Sequence, residues 1–300
     1  MLAGPAYLTR CLQALLFQTN VQDIEIIVPC DERISDVPVL QKKFPAVWFL
    51  TIGGHRTFAE LRALGVGKAR GAIIALTEDH CTPNPDWCDR ILHVHAAPHA
   101  AVGGAVEKVA PDTPLNWALY LADYGRYMNP RAEGLSSELT DCNVSYKSAA
   151  LHAIADVWQS EFHEPAVHDA LRKRGEALWF SPNIIVQQQR SMSLREAIRD
   201  RYIFGRLFGS GRAIAAPVLR RLFYAALGIL LPALLTGRVA QQVFRRRRHI
   251  GPFLSSLPAL IVLNLAWAWG EFLGYLTARA EISLKPSRST ESRPQESSAA

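Results

Sequence analysis

Apolar and polar positions along the first two thirds of the chain switch repeatedly between two periods. Leu8, Leu12, Leu15 and Leu16 share one side of a helical pattern, followed at 24–30 (IEIIVPC) by a short β-branched run. A second extended run lies at 46–52 (AVWFLTI). Helical spacing returns at 57–69, and 71–77 (GAIIALT) is apolar throughout, as in a strand covered on both faces. A helix is predicted over 86–97, with Asp86 near its start, and a strand over 101–110. Residues 113–137 carry Trp117, Tyr120, Tyr124 and Tyr127 without a clean period and read as a helix running into a long loop. A helix start is expected at Ser145–Lys147, a helix over 165–175 closed by Gly175, and a strand over 177–189 interrupted at Pro182. Such alternation predicts an α/β fold with a buried, largely parallel sheet flanked by helices.

Beyond residue 189 the pattern changes. Two long apolar stretches, 222–236 and 257–277, flank the run Arg245–Arg248. The first contains Pro232 and is short for a hydrocarbon layer of ~30 Å; the second has the length but contains Glu271. Two full spans would put the Arg run across the membrane from the body, against the positive-inside tendency, so the first stretch is expected to be re-entrant or interfacial unless that tendency is broken. Buried core helices of a soluble protein are the other reading. The expected organisation is a catalytic domain over 1–189, a basic amphipathic region over 190–221, membrane-associated helices over 222–278 and a disordered tail over 279–300.

Composition and charge sharpen this division. A chain 49% hydrophobic and 20% charged is not mainly disordered. Residues 190–249 hold thirteen Arg against Glu196 and Asp200, a local balance of +11 within a total of +6, so the body is mildly acidic and the charge is a belt. That belt brackets apolar sequence, which favours a lipid surface over nucleic acid. Five Cys with no C-x-x-C spacing read as thiols, not as a disulfide scaffold or zinc site. The opening residues read as an amphipathic helix, not an export leader.

The sharpest candidate chemistry is IIALTEDHC (73–81), where a buried strand delivers Glu78, Asp79 and His80 at its C-terminal end, the edge at which open α/β sheets bind ligands. Two carboxylates and an imidazole suit a divalent cation that offsets the charge of a departing diphosphate; acids in this position are also ordinary turn formers. Glu164, just before the 165–175 helix, is a candidate general base or a carboxylate satisfying helix donors. Asp141 is placed to orient a sugar hydroxyl or cap a helix. GVGKARG (65–71) matches no phosphate-loop pattern, which disfavours a dinucleotide-dependent dehydrogenase, but leaves Lys68 or Arg70 as candidates to approach a phosphate. His93, His95 and His99 fit no metal template and are expected at the surface.

In order, CLQALLFQTNVQDIEIIVPCDE (11–32), ARGAIIALTEDHCTPNPDW (69–87), AVGGAVE (101–107), LTDCNVSYKSAAL (139–151), FHEPAVHDALRKRGEALWFSPNIIVQQ (162–188) and LPALIVLNLAWAWGEFLGYL (257–276) resemble the family 2 glycosyltransferases of GT-A fold, membrane-attached bacterial subgroup. The resemblance implies sugar transfer from a nucleotide-sugar donor, usually with inversion, to a lipid or envelope-glycan acceptor at the inner membrane, catalytic domain facing the cytoplasm. It implies Mg²⁺ or Mn²⁺ at Glu78, Asp79 and His80; donor contacts from Asp31, Arg70, Glu78 and Asp79; an acceptor side at Asp141 and Asn143; and Glu164 as base. Three departures stand out. The family's usual first strand is missing from these residues, which would leave a sheet edge exposed. His80 replaces a carboxylate, and Pro165 follows Glu164 where a second acid is common. They keep open a non-catalytic, membrane-bound relative acting as partner or scaffold.

Overall fold

The computed structural model describes residues 4–19, 23–32, 34, 36–109, 111–214 and 216–278; the expected disordered tail at 279–300 lies outside them. The chain divides into two compact units, one of residues 1–191 with 238–257 and one of 192–237 with 258–300.

The first unit opens with α1 (Pro5–Leu16), β1 (Ile26–Asp31), α2 (Val37–Lys43) and β2 (Val47–Ile52). β1 and β2 pair in parallel, Ile26 opposite Val47. Leu8 and Leu12 of α1 and Leu40 of α2 pack on Ile26, Cys30, Val47 and Phe49, so the apolar stripe of each helix finds one face of this two-stranded sheet. α3 (Phe58–Lys68) follows, started by a capping box in which Thr57 and Glu60 satisfy each other's backbone donors.

β3 (Ile73–Thr77), β4 (Cys81–Pro83), α4 (Trp87–His95), β5 (Ala101–Lys108), α5 (Pro114–Asp123), β6 (Gly134–Leu135), β7 (Asn143–Lys147), α6 (Ser148–His152), α7 (Ala155–Trp158), α8 (Glu164–Lys173) and β8 (Leu178–Gln188) complete the unit. The second sheet runs β3-β7-β5-β8-β4, with β6 on β8. Its pairing is mixed. β5–β8 is parallel and every other pair antiparallel, so the parallel order expected from the alternation holds for β1–β2 and β5–β8 only. β1 joins β2 alone and β3 joins β7 alone, leaving each with one strand edge outside the ladders among the described residues.

Local expectations are corrected in three places. Residues 145–147 are strand β7, not a helix start, because antiparallel pairing with β3 wins over local propensity; the helix begins at Ser148. His95 is buried and bonded to Ser145 (2.9 Å), and His99 stacks on Trp179, so only His93 keeps the surface position expected of all three. Pro182 does not break its strand. The β5–β8 register shifts between Gly104 and Ala105, so residues 182–184 bulge within a continuous β8. A Cβ on Gly104 would lie 2.0 Å from the Ile184 carbonyl oxygen, which only glycine avoids.

The remaining helices are α9 (Leu194–Ile214), α10 (Val218–Leu227), α11 (Leu231–Arg246) and α12 (Ile250–Thr277). Val218–Arg246, continued through a 3₁₀ turn at Gly228–Leu230, and Ile250–Thr277 are long and apolar enough to cross a membrane. Pro232 is tolerated because it sits in the first turn of α11. Arg247 and His249 take positive φ (52° and 61°) where the chain turns between α11 and α12. At this turn, within the first unit, Arg246 donates to the carbonyls of Gly125 and Arg126, and Arg248 to Glu107 and the Asn129 carbonyl. Two of the four consecutive arginines are therefore held by the body.

Candidate functional site

Register brings the acids together. β3 pairs with β7 so that Thr77 faces Asn143, which puts the turn Glu78–His80 beside Asp141 and Cys142. Glu164 arrives separately, at the first position of α8. Just before it Phe162 is buried against Tyr146 and Trp158, and its backbone N–H donates to the Ala59 carbonyl in α3 (2.9 Å). That tie fixes the start of α8 against the first turns of α3.

What joins the carboxylates is Arg62, on α3. Its Nη1 donates to Glu164, and its Nη2 donates to Asp141 (2.8 Å) and Glu78 (3.1 Å). One guanidinium thus holds three acids from three elements, a geometry its planar fork suits better than an ammonium would. Burial opposes the charge of Arg62, but Asp141, Glu164 and Glu78 outweigh it and raise its pKa further. Burial lifts the Glu164 carboxyl above its ordinary 4.5, with Asp141 adding to the rise and Arg62 opposing it. Glu78 is raised by burial and then by the Asp141 charge.

His80 is buried beside this group. Asp79 meets its Nδ1 (3.3 Å), while Tyr124 Oη (3.1 Å) and Glu78 (3.2 Å) meet its Nε2. Burial works against the imidazolium, but the Asp79 hydrogen bond and the Glu78 charge raise its pKa overall. Among the described residues, Glu78, His80 and Cys81 are the metal-ligating side chains whose donor atoms converge within 4.8 Å. Cys81 is a poor third ligand, since burial keeps its thiol protonated; Asp79 approaches from the far side of the ring. Glu78 and His80 Nε2 are the pair that could share a divalent ion, while Asp79, on Nδ1, would reach the same ion only if its side chain turned. Arg62 already pairs with Glu78, so an ion there would compete with the guanidinium for that carboxylate.

The residues expected from sequence divide accordingly. Glu78, Asp141 and Glu164 meet on Arg62, with Asp79 and His80 adjoining. Asp31 is buried at the C-terminal end of β1 and accepts from the Arg56 N–H (3.0 Å). Arg70 stands apart: it precedes β3, at the opposite end of the strand from Glu78, and its exposed side chain pairs with Glu25 (3.3 Å). The cation of the acidic group is Arg62 instead. Asn143 is buried with its amide committed, both N–H groups going to the Ala105 and Ile184 carbonyls and its oxygen accepting from Trp87, so it ties β5, the β8 bulge and α4 together and leaves nothing for an acceptor. Sequence reasoning missed Arg62 and Tyr124. The available signal for Arg62 was a lone charge between Leu61 and Ala63, two buried positions of a helix preceding the acid-bearing strand.

The profile of glycosyl transferase family 2 matches residues 3–154. The chain belongs to that family. Every member of the acidic group except Glu164 lies within the matched span, and this family 2 chain is accordingly a glycosyltransferase. Solved structures resemble it, two glycosyltransferases among them. The mannosyltransferase PcManGT from Pyrobaculum calidifontis, in complex with GDP-Man and Mn²⁺, is 14% identical, with 93% of this chain and 72% of that chain covered at a TM-score of 0.49. S. aureus TarS 1–349 in complex with UDP is 11% identical, with 87% of each chain covered at 0.44. No curated protein matches the sequence.

Proposed function

We propose that the chain transfers a sugar with inversion from a nucleotide-sugar donor to a hydroxyl of a lipid or membrane-proximal glycan acceptor. The observation that carries this reading is the convergence of Glu78, Asp141 and Glu164 on Arg62. In this reading the donor diphosphate enters beside Glu78 and Asp79, with Asp31 contributing from the end of β1. Arg62 then shares its charge with the diphosphate, which frees Glu164 from its ion pair. Glu164, with its raised pKa, accepts the acceptor's hydroxyl proton, and Asp141 holds a neighbouring hydroxyl. Glu78 with His80 would hold a divalent ion, with Asp79 turning toward it, and such an ion would supply charge stabilisation for the leaving diphosphate. Arg62 contributes fixed positive charge of the same sense.

Membrane attachment completes the proposal. The long apolar helices expose Leu219, Phe223, Ile229, Leu230 and Trp269, and thirteen Arg lie among residues 190–249. In this reading the acceptor lies at a lipid surface, at the inner membrane, with the catalytic unit on the cytoplasmic side; the exposed apolar side chains and the basic belt support the attachment.

The test is incorporation of labelled sugar from a panel of nucleotide sugars into a lipid and glycan extract by membranes containing the full chain. The reading predicts incorporation from one donor class, lost with Glu164→Gln. Equal incorporation by the variant would place the base elsewhere. No incorporation from any donor, with the protein folded and membrane-bound, would favour a non-catalytic partner.

A further inference from the structure

By length and composition Val218–Arg246 and Ile250–Thr277 could each cross a membrane. The packing of α9 on α12 argues against it. Gly205 lies against Trp267 and Gly209 against Glu271, while Gly270 lies against Tyr202 and Gly274 against Arg206. Both sets advance in the same direction, so the two helices run parallel. They also touch backbone to backbone. A Cβ would come within 2.2 Å of the partner carbonyl oxygen at Gly205, 2.3 Å at Gly209, 2.1 Å at Gly270 and 2.5 Å at Gly274. Helices in such contact share whatever depth either one takes.

α9 cannot share a bilayer interior. Its 21 residues include Arg195, Glu196, Arg199, Asp200, Arg201, Arg206 and Arg212, with Arg199 and Arg212 exposed. If α12 crossed, its last three turns would carry Arg206 and, further on, Arg212 with them, and the five charges at 195–201 would follow along the earlier turns into the hydrocarbon layer, where such groups are expensive. The same argument covers the preceding segment. Arg221 donates to the Tyr275 and Leu276 carbonyls at the end of α12 (2.9 and 2.7 Å), and Asn264 donates to Thr236 (3.0 Å), so α10 and the start of α11 run antiparallel along α12.

Resting on the membrane attachment proposed above, we infer that none of these helices crosses the bilayer. They lie in the plane of one leaflet of an anionic membrane. Leu219, Phe223, Ile229, Leu230, Leu265 and Trp269, all strongly exposed, enter the acyl region. The arginines of α9 remain at the headgroups, matching their charge to anionic lipid.

Cysteine labelling in sealed vesicles tests this on the full chain carrying Cys88→Ser, the native cysteine that is not buried. Gln159→Cys reports the exposed surface of the first unit, and Arg212→Cys reports an exposed charged position near the end of α9. In vesicles with the first unit outward, a membrane-impermeant maleimide is expected to label both positions. Labelling of Gln159→Cys alone, with Arg212→Cys reacting only after detergent, overturns the proposal. A high-salt wash comes first. Complete release of the protein there would contradict insertion of the apolar side chains and leave a purely electrostatic contact, a failure distinct from a crossing found in protein that stays bound.

Discussion

Arg62 and Glu164 stand 102 positions apart in the chain and form one ion pair, the guanidinium of α3 donating to the first carboxylate of α8. The pair joins the half of the chain matched by the family profile to a segment beyond it. Because the same guanidinium also holds Asp141 and Glu78, removing it exposes three acids to one another.

Arg62→Met should therefore cost stability as well as activity. Breaking a mostly buried ion pair costs about 3–5 kcal/mol when the abandoned charge stays ionised. The loss should be smaller at pH 6 than at pH 8, since Glu78 and Glu164 already bind protons more tightly than free carboxyls and can neutralise themselves. Urea unfolding of wild type and variant at both pH values checks it; a pH-independent difference would contradict the shared-cation arrangement.

Glu164→Gln should keep the fold and donor affinity while lowering transfer by ~10²–10⁴, the scale of a positioned general base. In the wild type the acid limb of kcat/KM should lie above the ordinary Glu value of 4.5, because burial raises the carboxyl. An acid limb at or below that value would dissociate Glu164 from the reaction.

The same shift sets a stability slope. A carboxyl whose folded pKa is raised contributes stability that is fully present below its unfolded value and is lost as pH rises through the folded one. The contribution of Glu164 should thus fade as pH climbs from 4.5 upward. Denaturant midpoints for wild type should fall more steeply over that window than those for Glu164→Gln; parallel curves would mean the carboxyl is not buried as described.

Two glycines separate packing from conformational freedom. Gly104→Ala forces a Cβ to within 2.0 Å of the Ile184 carbonyl oxygen and should destabilise by about 2–3 kcal/mol or prevent folding, as overpacking against backbone does. Gly67→Ala, in α3 with nothing within 4 Å, should gain about 0.5–1 kcal/mol from helix propensity. Thermal unfolding of the two variants in parallel decides it, and equal effects would place the bulge wrongly.

Much of this architecture can be read from the sequence because it is local. The apolar run 71–77 and the acids after it state both a buried strand and its functional end, and the helix of Glu164 is marked by Pro165 and closed by Gly175. What the sequence hides is set by pairing between distant segments. Ser145–Lys147 looks helical until Ala75 and Ile73 pair with it, and Asp141 gains its place beside Glu78 only through that register. Arg62 is invisible for the same reason: its three partners lie 16, 79 and 102 residues away. Arg70, nearer in sequence to the acids, is taken to the other end of β3 by the strand itself.

The most direct test of the site is calorimetric titration of the detergent-solubilised full chain with UDP, GDP and the other nucleoside diphosphates, each with and without Mn²⁺, in wild type, Asp79→Ala and Glu164→Gln. The account predicts metal-enhanced binding of one nucleotide in the wild type, retained in Glu164→Gln and weakened at least ~10-fold in Asp79→Ala, the scale of a lost charge-assisted contact. Binding that ignores both the ion and Asp79, or no binding of any nucleotide by a folded chain, would contradict it.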